Sequence, residues 1–207
     1  MRLFLTTVTN ETNFIPSTLP KRRKGVKNVM KIEQIHHVAY RCNDAKETVE
    51  FYRRVLKMDF LVAISEDKVP STKEPDPYMH LFLDAGNGNI LAFFEIPNSP
   101  PMGFDPNTPR WVQHIAFRVA DEAALLEAKA EVEAQGLEVV GPTDHGIIKS
   151  IYFFDPNGHR LELTCVTGTA AQMQELKDLA PVMLEEWSKH KKVVTHASWL
   201  HEKEFNG

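Results

Sequence analysis

His37-Val38-Ala39-Tyr40-Arg41, with Asp44 three residues beyond, and His114-Ile115-Ala116-Phe117-Arg118, with Asp121 three residues beyond, match position for position at an offset of 77. This is an internal repeat, and it predicts that the chain folds as two copies of one supersecondary unit. In both copies polar and apolar residues alternate as on a half-buried strand. The aspartate that follows has a short side chain suited to accept the first free N–H groups of a helix. Beyond Asp44, Val49, Tyr52, Val55 and Leu56 recur at helical spacing, and beyond Asp121, Leu125, Ala128 and Val132 do the same.

Working outward, each helix is followed by three short strand-like runs. In copy one they are Phe60 to Ile64, His80 to Leu83 and Ile90 to Ile96, with Gly86-Asn87-Gly88 as a turn before the last. In copy two they are Leu137 to Val140, Ser150 to Phe154 and Arg160 to Cys165, with Asp155-Pro156-Asn157-Gly158 as the hairpin turn. Each copy therefore reads β-α-β-β-β, which makes the fold class α+β. Two such units can pair into a curved, half-barrel-like mixed sheet with helices outside and a cavity on the concave side.

The expected organisation is a basic leader over 1–30, module 1 over 31–97, a proline-rich linker over 98–110, module 2 over 111–167 and a helical extension over 168–207. Glu66 to Pro77 is too polar for core and reads as an extra loop bordering a pocket. Pro181 is expected to break the helical extension in two. Its apolar residues Met173, Leu176, Val182, Met183 and Trp187 suit packing on the chain itself or on a dimer mate.

Among the 207 residues, 43% are hydrophobic and 25% charged, which excludes a wholly disordered or low-complexity chain. The formal charge of -4 provides no cationic field for phosphate backbones, so nucleic acid is not an expected partner. No apolar run approaches the roughly 18 residues of a membrane helix. Cys42 and Cys165 are too few and too far apart for a disulfide framework or a thiolate zinc site, and both are expected to be buried thiols. The leader carries Arg2, Lys21, Arg22, Arg23, Lys24 and Lys27 against the single acid Glu11, in an order unlike a secretory signal. The expected location is cytoplasmic. A transit peptide to an organelle is the alternative reading of the leader, and an upstream-started frame with Met30 as the functional start is another.

The paired His-Val/Ile-Ala openings, Phe51-Tyr52-Arg53-Arg54-Val55-Leu56-Lys57-Met58-Asp59-Phe60, and Asp155 to Leu163 together resemble the vicinal oxygen chelate superfamily over residues 32 to 166. That superfamily includes glyoxalase I, epimerases, extradiol dioxygenases, and the fosfomycin and bleomycin resistance proteins. The resemblance implies metal ligands from the first and last strand of each module, which nominates His37, His114 and Glu162. Imidazole and carboxylate donors without thiolate suit one catalytic divalent ion, Fe, Mn, Co, Ni or Zn. His36 competes with His37 but points the other way on a strand, and the repeat offset selects His37.

A fourth ligand is ambiguous. Glu95 lies 19 residues before His114, about where the glyoxalase pattern has its copy-one carboxylate. Counting four residues on from Gly88, as Glu162 stands four on from Gly158, gives Ala92 instead, of opposite strand parity. A bulge near Phe93-Phe94 would reconcile the two counts.

Four protein ligands leave two positions on a six-coordinate ion, enough for two adjacent substrate oxygens, whereas three leave room for dioxygen as well. The reading placed first is a glyoxalase I-like lyase, isomerase or epimerase that transfers a proton through an enediolate, with Glu162 or Glu95 as base. Arg41 and Arg110 lie where glyoxalase I often binds anionic substrate groups. The runner-up is an Fe(II) ring-cleaving dioxygenase acting on a catechol. Tyr152, ten residues before Glu162, and His145 would then assist. A bleomycin-resistance-type binder without catalysis is the third reading. In each case the partner is a small molecule, with adjacent oxygens in the two enzyme readings, and a homodimer is expected from the resemblance.

Overall fold

Both histidine repeats open strands at the residues expected of them. The computed structural model describes residues 30–201, with the side chain at 201 left aside, so all of the basic leader except Met30 lies outside the described residues. Residues 1–33 are a unit apart from 34–207, and the described part of it holds an exposed Lys31–Glu33 ion pair at 3.7 Å.

In chain order the second unit contains β1 (His37–Cys42), α1 (Ala45–Val55), β2 (Phe60–Lys68), β3 (Pro75–Asp84) and β4 (Ile90–Glu95), followed by β5 (His114–Arg118), α2 (Glu122–Glu133), β6 (Val140–Asp144), β7 (Ile148–Phe154) and β8 (Arg160–Val166). The extension forms α3 (Ala170–His190) and α4 (Ser198–His201). The α+β class of two βαβββ modules is what the structure shows. Each module makes its own four-stranded mixed sheet, in the orders β1-β4-β3-β2 and β5-β8-β7-β6. The first strand of each is parallel to the last, and the other pairings are antiparallel.

The helix starts have the expected chemistry. Asp44 accepts from Glu47 N at 2.7 Å, and Asp121 accepts from Ala124 N at 2.9 Å. α1 lies on β3 and β4, and α2 on β7 and β8. Phe51, Tyr52 and Val55 of α1, Leu125 and Val132 of α2, and Leu81, Phe93, Ile151, Phe153 and Leu161 of the sheets form one continuous core. Both helix-facing sheet surfaces are therefore buried. On the opposite faces His37 and His114 are exposed while Ala92, Ser150, Tyr152 and Glu162 are buried, and Phe60, Leu61, Val62 and Ile64 on β2 are exposed at 40–48%.

The modules are joined by a buried polar clamp from the Asp155–Gly158 turn. Asp155 Oδ2 accepts from Tyr52 OH and from Asn157 Nδ2, each at 3.0 Å. Asn157 Nδ2 also lies 3.1 Å from Thr48 Oγ1, and Asn157 Oδ1 accepts from Asn43 N at 2.8 Å. Gly158, at φ +83°, lets the Phe104 ring close down on this turn, and a Cβ there would overlap the ring.

Three expectations about local structure are corrected. Half of Glu66 to Pro77 is strand, because β2 and β3 pair beyond the end of β4 and leave 69–74 as the turn. The first strand after α2 begins at Val140 rather than Leu137, since Leu137 and Val139 are used in packing against the core and the register shifts between Val140 and Thr143. α3 runs unbroken through Pro181. The proline removes one N–H, and the carbonyl it leaves, at Lys177 on an exposed stretch, has water to replace it.

Candidate metal centre

Strand register decides which side chains share a face. In module 2, His114 pairs with Arg160 and Arg160 with Phe154; one row on, Ala116 pairs with Glu162 and Glu162 with Tyr152; beyond that lie Arg118, Thr164 and Ser150. His114, Glu162, Tyr152 and Ser150 therefore share the face away from α2.

The two ligand candidates of module 2 are in contact: His114 Nε2 lies 3.0 Å from Glu162 Oε2. His114 Nδ1 lies 3.1 Å from the Val112 carbonyl, which can only accept, so Nδ1 is a donor and Nε2 is the ring nitrogen turned toward the carboxylate. Ser150 Oγ donates to Glu162 Oε1 at 2.5 Å and holds this carboxylate, which is only 3% exposed. An imidazole fixed through its far nitrogen, beside a carboxylate fixed through its far oxygen, is the donor chemistry of a divalent-metal site. These residues fit such an ion.

Tyr152 OH lies 2.7 Å from His145 Nε2, so the two candidate acid/base residues form one hydrogen-bonded pair beside Glu162. Burial, with a smaller contribution from the Glu162 charge, pushes the Tyr152 phenol above its ordinary value, while its contact with Ser150 and the Arg160 charge oppose this. The Arg160 guanidinium lies 3.9 Å from the Tyr152 ring centroid.

Module 1 has the same rows with other residues: His37 with Ile90, Ala39 with Ala92 and Phe82, Arg41 with Phe94 and His80. The position equivalent to Glu162 is Ala92. Both pairings of β4 run without a shift from Ile90 to Glu95, so the bulge that would reconcile the two counts is absent. Glu95 falls on the α1 side of the sheet with Phe93, and its Oε2 accepts from Ala45 N at 2.6 Å. The Glu95 carboxylate, expected as a ligand and base, satisfies the start of α1 in this geometry, where negative charge is favoured, and lies on the opposite face of β4 from Ala92. Glu95→Ala is expected to lower stability by about 0.5–2 kcal/mol, in the range of a lost cap, and to leave metal stoichiometry unchanged. Thermal unfolding and metal analysis of the variant measure both.

His37 is exposed, its Nδ1 2.8 Å from His36 Nδ1 and its ring 6.5 Å from that of His80. Among the described residues no three His, Cys, Asp or Glu side chains converge on one point, so a single chain brings together His114 and Glu162 but not His37. Arg41 donates to the Pro100 carbonyl, and Arg110 lies between the rings of Phe104 and Phe154, 4.5 and 4.7 Å from their centroids.

Sequence reasoning missed Ser150, Arg160 and His80. Counting by twos along β7 and β8 from Tyr152 and Glu162 would have found the first two. His80 has no counterpart in the repeat. It stacks on Phe94 at 3.6 Å between centroids, with its buried Nε2 unpartnered among the described residues, and burial and nearby His37 lower its pKa.

This chain belongs to the Glyoxalase/Bleomycin resistance protein/Dioxygenase superfamily, whose model matches residues 34–163. Among its relatives it is 33% identical over 138 residues to a putative ring-cleaving dioxygenase, MhqA, of Bacillus subtilis, a match covering 65% of this chain and 41% of that protein. The chain thus spans about two fifths of that relative. It is 27% identical over 153 residues to the metallothiol transferase FosB of Staphylococcus epidermidis, covering 70% of this chain and 89% of FosB. The structure of a glyoxalase family protein from Enterococcus faecalis is similar with a TM-score of 0.50 and 28% identity, over 65% of this chain and 99% of that one. No helix among the described residues is long and apolar enough to cross a membrane.

Proposed function

We propose that the protein is a divalent-metal enzyme of the ring-cleaving dioxygenase type, acting on a catechol-like substrate, with its site shared between two copies of the chain. The observation that carries this reading is the pairing of Ala92 where module 2 has Glu162, with Glu95 turned to α1. Only His37, His114 and Glu162 then remain to hold the ion. A two-histidine, one-carboxylate set supplies, when loaded with a metal such as Fe(II), open positions for two vicinal oxygens and dioxygen together.

The lyase reading draws on Glu95 as fourth ligand and base, and the hydrogen bond from Ala45 N to Glu95 Oε2 weighs against that role. The resemblance to the putative ring-cleaving dioxygenase adds to the dioxygenase reading. A shared site is supported by the exposure of His37 and His114 and by the exposed apolar residues of β2, at the other edge of the first sheet.

In this reading the chain positions and handles a proton. Tyr152 donates its hydroxyl hydrogen to His145 Nε2, which leaves the phenol oxygen as acceptor toward a substrate hydroxyl placed beside Glu162. Ser150 keeps the Glu162 carboxylate in one orientation. Tyr152→Phe is expected to lower turnover by about 10²-fold with metal content unchanged, in the range of a lost acid/base group.

The test is dioxygen uptake by the iron-loaded protein with catechol as probe. Uptake matching catechol loss, abolished in Glu162→Gln, is the expected result. Isomerisation of a hemithioacetal without dioxygen uptake would return the lyase to first place. Transfer of a thiol to an epoxide phosphonate would favour the transferase chemistry named for FosB, whose length this chain largely covers. Ligand binding with neither turnover nor bound metal would favour the sequestering module.

A further inference from the structure

His145 stands on the turn between β6 and β7, exposed to solvent, with its Nε2 2.7 Å from Tyr152 OH. Bonds inside the turn fix only its backbone: His145 N donates to the Ile148 carbonyl at 2.9 Å, and Gly146 N to Asp144 Oδ1 at 2.7 Å. An exposed hairpin turn is ordinarily among the more mobile parts of a fold. Here it is restrained further by residues that lie beyond the matched 34–163.

Two parts of the C-terminal extension close on this turn. Thr167 N and Gly168 N, on the approach to α3, both donate to the Ile147 carbonyl at 2.9 Å. From the far end of the extension, Leu200 of α4 lies on Gly146, so closely that a Cβ built there would stand 2.6 Å from Leu200 Cδ1. Gly146 is buried and has a φ of +89°, so glycine serves both the left-handed turn and the notch that takes the leucine. α4 is itself held in place. Trp199 Nε1 donates to Glu175 Oε2 of α3 at 2.9 Å, His196 Nε2 lies 3.0 Å from Glu186 Oε2, and Ala197 is 1% exposed. The extension thus leaves the sheet beside the His145 turn and returns an apolar side chain to the residue next to that histidine.

We infer that Leu200 is a positioning residue, which by filling the notch at Gly146 holds His145 within hydrogen-bond reach of Tyr152 and makes the C-terminal extension a working part of the site. This rests on the reading in which that pair handles the substrate proton. A hydrocarbon contact suits the task, because it constrains the turn without offering the imidazole a competing donor or acceptor. Proton transfer needs its partners at hydrogen-bond distance, and a displacement of about 1 Å is enough to cost turnover heavily.

Proton NMR of the metal-free, full-length protein tests the contact without any turnover, read as the cross-relaxation between the His145 and Tyr152 rings, whose centroids are 6.2 Å apart. Leu200→Ala is expected to lose most of that signal and, in the iron-loaded protein, to lower kcat about 10-fold with KM and metal content unchanged. Leu200→Met, which refills the notch, is expected to restore both, and Leu184→Ala, at an exposed position of α3, to change neither. A leucine with a structural role alone would lower the unfolding temperature on truncation and leave the ring contact of the folded protein as it is. A ring contact unchanged in Leu200→Ala overturns the inference. Dioxygen uptake with catechol that is as fast in Leu200→Ala as in the wild type overturns it too and leaves the dioxygenase reading standing. Loss of the contact in a protein whose wild type takes up no dioxygen would sink the dioxygenase reading and leave the positioning of His145 by Leu200 standing.

Discussion

Mixing two inactive variants, His37→Ala and Glu162→Gln, under conditions that let subunits exchange is expected to restore about a quarter of wild-type activity and metal content. The arithmetic follows from a site that takes His37 from one copy and His114 with Glu162 from the other. Random exchange makes about half of the dimers mixed. In each mixed dimer one site carries both substitutions and the other carries neither. Each variant alone is expected to lose more metal affinity than the about 10–100-fold cost of removing a residue that merely orients a ligand. Sedimentation of the mixture checks that dimers form, and metal analysis checks the restoration independently of turnover. No recovery in a mixture that has demonstrably exchanged would place all the ligands within one chain and remove the shared-site reading.

Asp155→Ala is expected to be the most damaging substitution for stability, by about 3–5 kcal/mol, read as the shift in a urea unfolding curve. Asp155 is 5% exposed, and its carboxylate takes hydrogen bonds from Tyr52 OH, from Asn157 Nδ2 and, at 2.8 Å, from His159 N. Removing it strands buried donors from both modules at once, and each stranded donor costs about 1–3 kcal/mol. Tyr52→Phe removes a donor and leaves the carboxylate its other partners, so about 1 kcal/mol is expected. An Asp155→Ala midpoint indistinguishable from wild type would show that the clamp is incidental to stability.

The same clamp sets a pH dependence. Burial, then the adjacent Asp155 charge, raise the Tyr52 phenol well above its ordinary value near 10. The folded state thus holds this proton more tightly than the unfolded chain. The phenol's contribution is fully present below about pH 10 and falls as pH rises beyond it. Unfolding midpoints collected from pH 8 to 11 should decline at the alkaline end in the wild type and less so in Tyr52→Phe.

Much of this architecture was legible before any coordinates. The 77-residue offset located the first strand of each module, and Asp44 and Asp121 marked the helix starts, because capping and alternation are settled by residues a few positions apart. The turn at Asp155–Gly158 was legible for the same reason, but its part in fastening the modules was not, since Tyr52 and Thr48 lie more than a hundred residues away. Pro181 misled because a helix tolerates a proline where the freed carbonyl meets water, a condition set by exposure.

Glu95 shows the boundary most sharply. Two counts along the chain placed the module 1 carboxylate position on opposite faces of one strand, and a difference of one residue in register reverses every side chain. Only the pairing of β4 with β1 and β3 chose between them.

The order of residues by itself determined the duplicated βαβββ plan, the strand positions of His37, His114 and Glu162, and the family, because repeats, caps and period-two alternation are short-range properties written in neighbouring side chains. Tertiary structure alone decided that Glu95 serves a helix, that His114 meets Glu162 while His37 stands apart, and that Arg110 is clasped between two rings. Those outcomes depend on which distant surfaces are pressed together, and that is fixed by the burial of the shared core rather than by any local pattern.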